Sequence, residues 1–117
     1  MIKILVIEDN ENNLYLIRFI LQKSGFEVLD AKNGLDGVEA AVKNDVDLVI
    51  MDIQLPDIDG LEATRRIRAA GVTLPIVALT SYALPGDKEK ALEAGCTGYL
   101  TKPINPETVV TEIKSYL

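Results

Sequence analysis

Five short apolar runs, separated by amphipathic segments of helical length, leave this chain few folds to choose from. The runs cover residues 2–7, 26–31, 47–51, 75–79 and 98–100. Between the first two, Leu14, Ile17 and Leu21 recur at helical spacing, with Leu16 and Ile20 widening the stripe and Gly25 closing it. Leu35, Val38 and Val42 mark a second helix after the Asn33-Gly34 turn. A third runs from Leu61 to Ala70 with Arg65, Arg66 and Arg68 on its solvent side. Residues 85–94 read as a fourth, weakly apolar and loosely held, closed by Gly95. In the fifth, Asn105 caps, Pro106 takes the first position, and Val109, Val110, Ile113 and Leu117 form the buried face. Strands joined by helices of this length run parallel with right-handed crossovers, so a doubly wound α/β sheet is expected. The run at 47–51 is almost wholly apolar, as a central strand covered on both faces must be; the run at 26–31 is polar at alternate places and suits an edge.

Composition narrows the chemistry. With 117 residues, 48% of them hydrophobic, one domain over 1–117 can bury a core without metal or disulfide staples. The chain has no repeat or linker, and no apolar stretch long enough for a membrane span. The first strand starts directly after Met1, which leaves no space for a signal peptide. Cys96 is the single cysteine, expected to be buried and inert, and a reducing cytoplasm is the expected setting. Eighteen acids against 12 bases give a formal charge of −6, which argues against nucleic acid or an anionic membrane as a direct partner. There is no histidine. Histidine-based triads, histidine metal ligands and phosphohistidine chemistry within the chain are therefore excluded.

The polar residues that follow the strands carry the functional reading. Glu8 and Asp9 follow the first, Asp52 the third, Thr80 and Ser81 the fourth, and Lys102-Pro103 the fifth. In an open parallel sheet these ends line one edge, where ligand sites form. Alone, each has an ordinary explanation: Glu8-Asp9 as a helix cap, Asp52 and Thr80 as turn residues, Lys102 as a solvated amine. Together they place three carboxylates, a hydroxyl and an ammonium in one shallow pocket. Three crowded acids repel one another without a cation, and an all-oxygen donor set suits Mg²⁺. Such a site fits phosphoryl transfer, with Asp52 supplying the attacking oxygen and Lys102 and Thr80 meeting the phosphoryl oxygens.

On the residues 6–10 (Val-Ile-Glu-Asp-Asn), 51–56 (Met-Asp-Ile-Gln-Leu-Pro) with Gly60, 79–81 (Leu-Thr-Ser) and 99–103 (Tyr-Leu-Thr-Lys-Pro), the chain resembles the receiver domains of two-component response regulators over its entire length. The resemblance implies a flavodoxin-like five-stranded sheet of order 2-1-3-4-5 with five helices. It implies that Asp52 accepts a phosphoryl group from a phosphohistidine on a histidine kinase or a histidine phosphotransfer protein. Asp9 would bind Mg²⁺ directly, Glu8 mainly through water, and the backbone carbonyl of Gln54 would be a further ligand. Thr80 and Lys102 would contact the phosphate, and the Lys102-Pro103 peptide would be cis. Tyr99 would be the aromatic whose rotation follows Thr80, changing the surface of the fourth helix, fifth strand and fifth helix for a downstream protein target. Gln54 and Tyr82 would flank the path of the hydrolytic water. Glu8 is an accepted alternative to aspartate in the family, and Ser81 stands where alanine is commoner yet remains small enough to admit phosphate. Such a protein would be a phospho-acceptor rather than an enzyme with turnover, either a monomer or a dimer formed on phosphorylation.

Three other readings compete. A flavin-type cofactor binder needs a glycine- or hydroxyl-rich loop after the first strand, where this chain has Glu8-Asp9-Asn10-Glu11. A Mg²⁺-dependent phosphatase with an aspartate nucleophile typically has a second acid two residues on, where this chain has Gln54. A receiver that serves only as a docking module, or one belonging to a longer regulator, shares every motif.

Overall fold

The computed structural model describes residues 1–81 and 84–117. Strands β1 (Lys3–Ile7), β2 (Glu27–Ala31), β3 (Leu48–Asp52), β4 (Ile76–Thr80) and β5 (Gly98–Thr101) alternate with helices α1 (Glu11–Lys23), α2 (Gly34–Lys43), α3 (Gly60–Ala69), α4 (Asp87–Ala94) and α5 (Val109–Lys114). All strand pairs are parallel, in the order β2-β1-β3-β4-β5. This is the flavodoxin-like doubly wound sheet, with β2 at one edge as its alternating polarity requires.

Strand alternation divides the core in two. Ile4, Val6, Leu48, Ile50, Val77 and Leu79 face one side with Leu14, Ile17, Leu21, Val109 and Ile113 of α1 and α5. Leu5, Ile7, Val49, Met51, Ile76 and Ala78 face the other with Ala41, Ala63, Ile67 and Ala91 of α2, α3 and α4. A strand buried on both faces needs no polar alternation, which is why β1, β3 and β4 read as continuous apolar runs.

Several local expectations are corrected. Leu35 and Val42 are about half exposed, and α2 instead meets the sheet through Gly37 and Ala41, with Gly34 buried against Ile58 of the β3–α3 loop. A Cβ on Gly37 would lie 2.5 Å from Ile7 Cδ1, so a small residue lets the helix sit close. Leu117 is about half exposed rather than part of the α5 face, and Leu16 is 41% exposed. Helix α4 starts at Asp87 rather than residue 85, because Gly86 adopts a left-handed conformation (φ 91°) that a helix cannot contain. At α5, Asn105 does cap: its side chain accepts the Glu107 N–H and its carbonyl accepts the N–H groups of Thr108 and Val109. The tight turn over 106–108 delays regular helix to Val109.

Arg68 is not solvated with Arg65 and Arg66. Its guanidinium donates to the carbonyls of Gly95 (2.9 Å), Val72 (3.0 Å) and Leu74 (2.6 Å), fastening the end of α3 to the segments entering β4 and β5. Cys96 is buried as expected, 3.7 Å from Thr64 Oγ1, and burial pushes its thiol pKa up.

Candidate functional site

Strands β3, β4 and β5 each run one residue further than their apolar runs, and two of those extra residues, Asp52 and Thr80, belong to the site. Asp52 is the last residue of β3, in register with Leu79, and Ile53 N–H still donates to Leu79 O at 3.1 Å. Thr80 ends β4, opposite Thr101, and the Lys102 N–H donates to Thr80 O at 2.7 Å. Beyond β1, the Glu8 N–H donates to Ala31 O at 3.0 Å. Sheet hydrogen bonding therefore fixes the backbone of Glu8, Asp52, Thr80 and Lys102. Strand-held groups are placed more accurately than loop-held ones.

The side chains converge. Lys102 Nζ lies 3.0 Å from Glu8 Oε1 and 3.3 Å from Asp52 Oδ2. Carboxylate oxygens of Glu8, Asp9 and Asp52 all lie within 4.8 Å of one another. Glu8, Asp52 and Thr80 are buried, while Asp9 is exposed at the mouth. Ser81 is exposed just beyond Thr80, and the Lys102–Pro103 peptide is cis. Gln54 donates its N–H to Asp52 Oδ1 at 3.1 Å. Thr80 and Tyr99 both line a largely apolar pocket of about 190 Å³ that also includes Leu61 and Ala91. Tyr82 lies outside the described residues.

Electrostatics mark Asp52 as the strained member. Burial, then the hydrogen bond and charge of Glu8, push its pKa up to about 7; the Lys102 charge and the Gln54 N–H work against this. Burial also penalises the Lys102 ammonium, yet its hydrogen bond to Glu8 and the charge of Asp52 outweigh that and raise its pKa. Glu8 Oε2 is buried with no hydrogen-bond partner among the described residues. A buried orphan acceptor beside two more carboxylates, all hard oxygen donors, fits a divalent cation. The donor set passes that test.

Two structural devices hold the loop after Asp52. Gly60 packs against the end of β3, where a Cβ would lie 2.2 Å from Asp52 O and 2.8 Å from Ile53 Cα. The Asp57 carboxylate accepts the N–H groups of Gly34 and Leu35 at the start of α2. Burial opposes its charge, but those amides hold its pKa below the usual value. Sequence reasoning missed Asp57. Its only signal was an acid in a proline turn, which is ordinary.

The chain has close relatives in sequence and fold. The family model described as "Response regulator receiver domain" matches residues 4–114. The polar-differentiation response regulator DivK of Brucella anthropi is 38% identical over 116 residues, covering 97% of this chain and 94% of that protein. The receiver domain of the sensor histidine kinase PA1611 from Pseudomonas aeruginosa, solved with a magnesium ion coordinated in its active-site cleft, superposes with a TM-score of 0.89. It is 38% identical, over 97% of this chain and 95% of that one. The receiver domain of Saccharomyces cerevisiae Ssk1, solved in complex with the histidine phosphotransfer protein Ypd1, gives 0.91 at 34% identity, over 98% and 88% of the two chains. With its five-stranded sheet, its acids gathered at the strand ends and a family match over almost its full length, the chain belongs to the receiver domains of two-component response regulators.

Proposed function

We propose that Asp52 is the phospho-acceptor of a Mg²⁺-dependent switch. The observation that carries this is one buried carboxylate, at the end of the central strand, within 3.3 Å of a lysine ammonium and beside two further acids. An Asp52 oxygen attacks the phosphorus of a phosphohistidine; the P–O bond forms as the P–N bond breaks, and the imidazole leaves with the bonding pair and takes up a proton. Lys102 meets the charge on the transferred oxygens, and the Thr80 hydroxyl donates a hydrogen bond to one of them. Glu8, Asp9, Asp52 and the carbonyl of Gln54 would hold Mg²⁺, whose contribution is to neutralise the equatorial oxygens of the phosphoryl group. The protein is a phospho-acceptor working in the cytoplasm, where its donor is a histidine kinase or a phosphotransfer protein of the kind seen with the Ssk1 receiver.

The test is mass analysis after incubation with acetyl phosphate. Wild type is expected to gain one phosphoryl group only when Mg²⁺ is present, and Asp52→Asn to gain none. Labelling of the asparagine variant, or an inert wild type, would overturn the assignment.

Phosphorylation replaces the single negative charge of the Asp52 carboxylate with an acyl phosphate of about −2 and adds strong acceptor oxygens. The reading of Thr80 and Tyr99 as a coupled pair is supported by the apolar pocket they share, which has space for a ring to reorient. Drawing Thr80 toward the phosphate clears one wall of that pocket, and Tyr99 turns inward to fill it. The α4-β5-α5 surface then changes for a protein target. Ring orientation with and without a phosphate mimic decides the matter: an unmoved Tyr99 rejects the coupling.

A further inference from the structure

The loop between β3 and α3 is pinned at three points. At its base the Gly60 N–H donates to Ile53 O at 2.8 Å, and next to Asp52 the Gln54 N–H donates to Asp52 Oδ1. The third point lies outside the loop. Asp57 reaches across to α2, where Oδ1 accepts the Gly34 N–H at 2.7 Å and Oδ2 accepts the Leu35 N–H at 2.8 Å. A carboxylate that spans two amides fixes orientation as well as distance. Gly34 makes the approach possible, since a Cβ there would lie 2.5 Å from Ile58 Cγ1 and 2.9 Å from Ile58 O. Helix α2 does not depend on Asp57 for a cap of its own: Asn33 accepts the Asp36 N–H at 2.8 Å.

We infer that Asp57 is a positioning residue for the Asp52 site, tying the loop to α2 so that the Gln54 backbone is held where it serves the metal-binding acids. The inference rests on the Mg²⁺ reading above and deepens it. Between the two anchors of the loop only Leu55 and Pro56 separate Gln54 from Asp57, so displacement at Asp57 has little chain in which to dissipate. Groups that orient metal ligands commonly change affinity without touching the ion. By linkage the coupling is reciprocal: whatever Asp57 contributes to metal affinity, the bound metal returns to the Asp57–α2 contact.

The experiment is Mg²⁺ titration of wild type, Asp57→Ala, Asp57→Asn and Asn33→Ala, with amide hydrogen exchange at Gly34 and Leu35. Asp57→Ala is expected to weaken Mg²⁺ binding roughly tenfold. Asp57→Asn, which keeps one acceptor oxygen, should fall between. Asn33→Ala removes the α2 cap but leaves the loop tied, and its Mg²⁺ affinity should match wild type. In wild type, Mg²⁺ should slow exchange at Gly34 and Leu35. Equal weakening by Asp57→Ala and Asn33→Ala would make Asp57 a helix cap and nothing more, and unchanged binding by Asp57→Ala would overturn the inference while leaving the metal reading intact. Should the alanine variant fail to fold, Asp57→Asn against Asn33→Ala makes the same comparison. A wild type that binds no Mg²⁺ sinks both readings.

Discussion

Asp52→Asn should make the metal-free protein more stable at neutral pH, even as it abolishes phosphoryl uptake. The folded-state pKa of Asp52 is raised to about 7 by burial and by Glu8, from an ordinary 3.8. A raised acid pKa means that the folded chain holds a proton the unfolded chain has released. Stability from this group is therefore intact below about pH 4 and is lost as pH rises toward about 7. A shift of about three units corresponds to roughly 4 kcal/mol at full value, and because Asp52 belongs to an interacting cluster the expected difference is about 2–4 kcal/mol. Asparagine keeps the shape and removes the charge. Urea unfolding in a chelator should show wild type and variant close together near pH 4 and diverging to that extent by pH 8. Saturating Mg²⁺ should reverse the order, because only the carboxylate gains from the ion. An asparagine variant less stable than wild type at pH 8 without metal would show that Asp52 is not under electrostatic strain.

Lys102→Ala should have the opposite sign and an effect on both stability and chemistry. Its ammonium, with a side chain only 16% exposed, bridges Glu8 and Asp52. Removing one partner of a buried charge cluster leaves the others uncompensated, typically at a cost of 3–5 kcal/mol. Here Asp52 can take up a proton, so the expected loss at pH 8 in the absence of metal is about 3 kcal/mol, shrinking toward pH 5. Lys102→Met retains the apolar stem and separates lost packing from lost charge. Mg²⁺ should restore much of the stability of either variant. It should not restore phosphorylation by acetyl phosphate, expected to slow about 10²- to 10³-fold when one donor to the developing charge is lost. Wild-type rates in Lys102→Met would remove the lysine from the reaction.

How the chain could be read follows from the physics of each part. The buried strands were legible because residues covered on both faces must be apolar, and β1, β3 and β4 have almost no other residues. Glu8, Asp52 and Lys102 stood out because a charge at the end of such a run is costly to bury without a purpose. Element ends were harder. Asp52, Thr80 and Thr101 are paired strand residues although no apolar side chain marks them, because parallel hydrogen bonding continues past the apolar run. Leu35, Val42 and Leu117 have the character of core residues and yet remain about half exposed, since helix docking is set by where a close approach is possible, and at α2 that is Gly37.

Asp57 and Arg68 show the sharper limit. Apart from a bond from Arg68 to the Thr97 hydroxyl, their partners are backbone groups of Gly34, Leu35, Val72, Leu74 and Gly95, and main-chain amides and carbonyls are the same at every position. No pattern of side chains can announce such bonds. The sequence by itself determined the alternating architecture and the charged residues that follow its strands, because periodicity and residue chemistry are written one position at a time. Only the tertiary structure decided the distances among the carboxylates and the ammonium, the burial that raises the Asp52 pKa, and which loops are tied to which helices. Those depend on how far apart folded segments finally come to rest, and the energy between charges varies with that separation and with how far water is excluded.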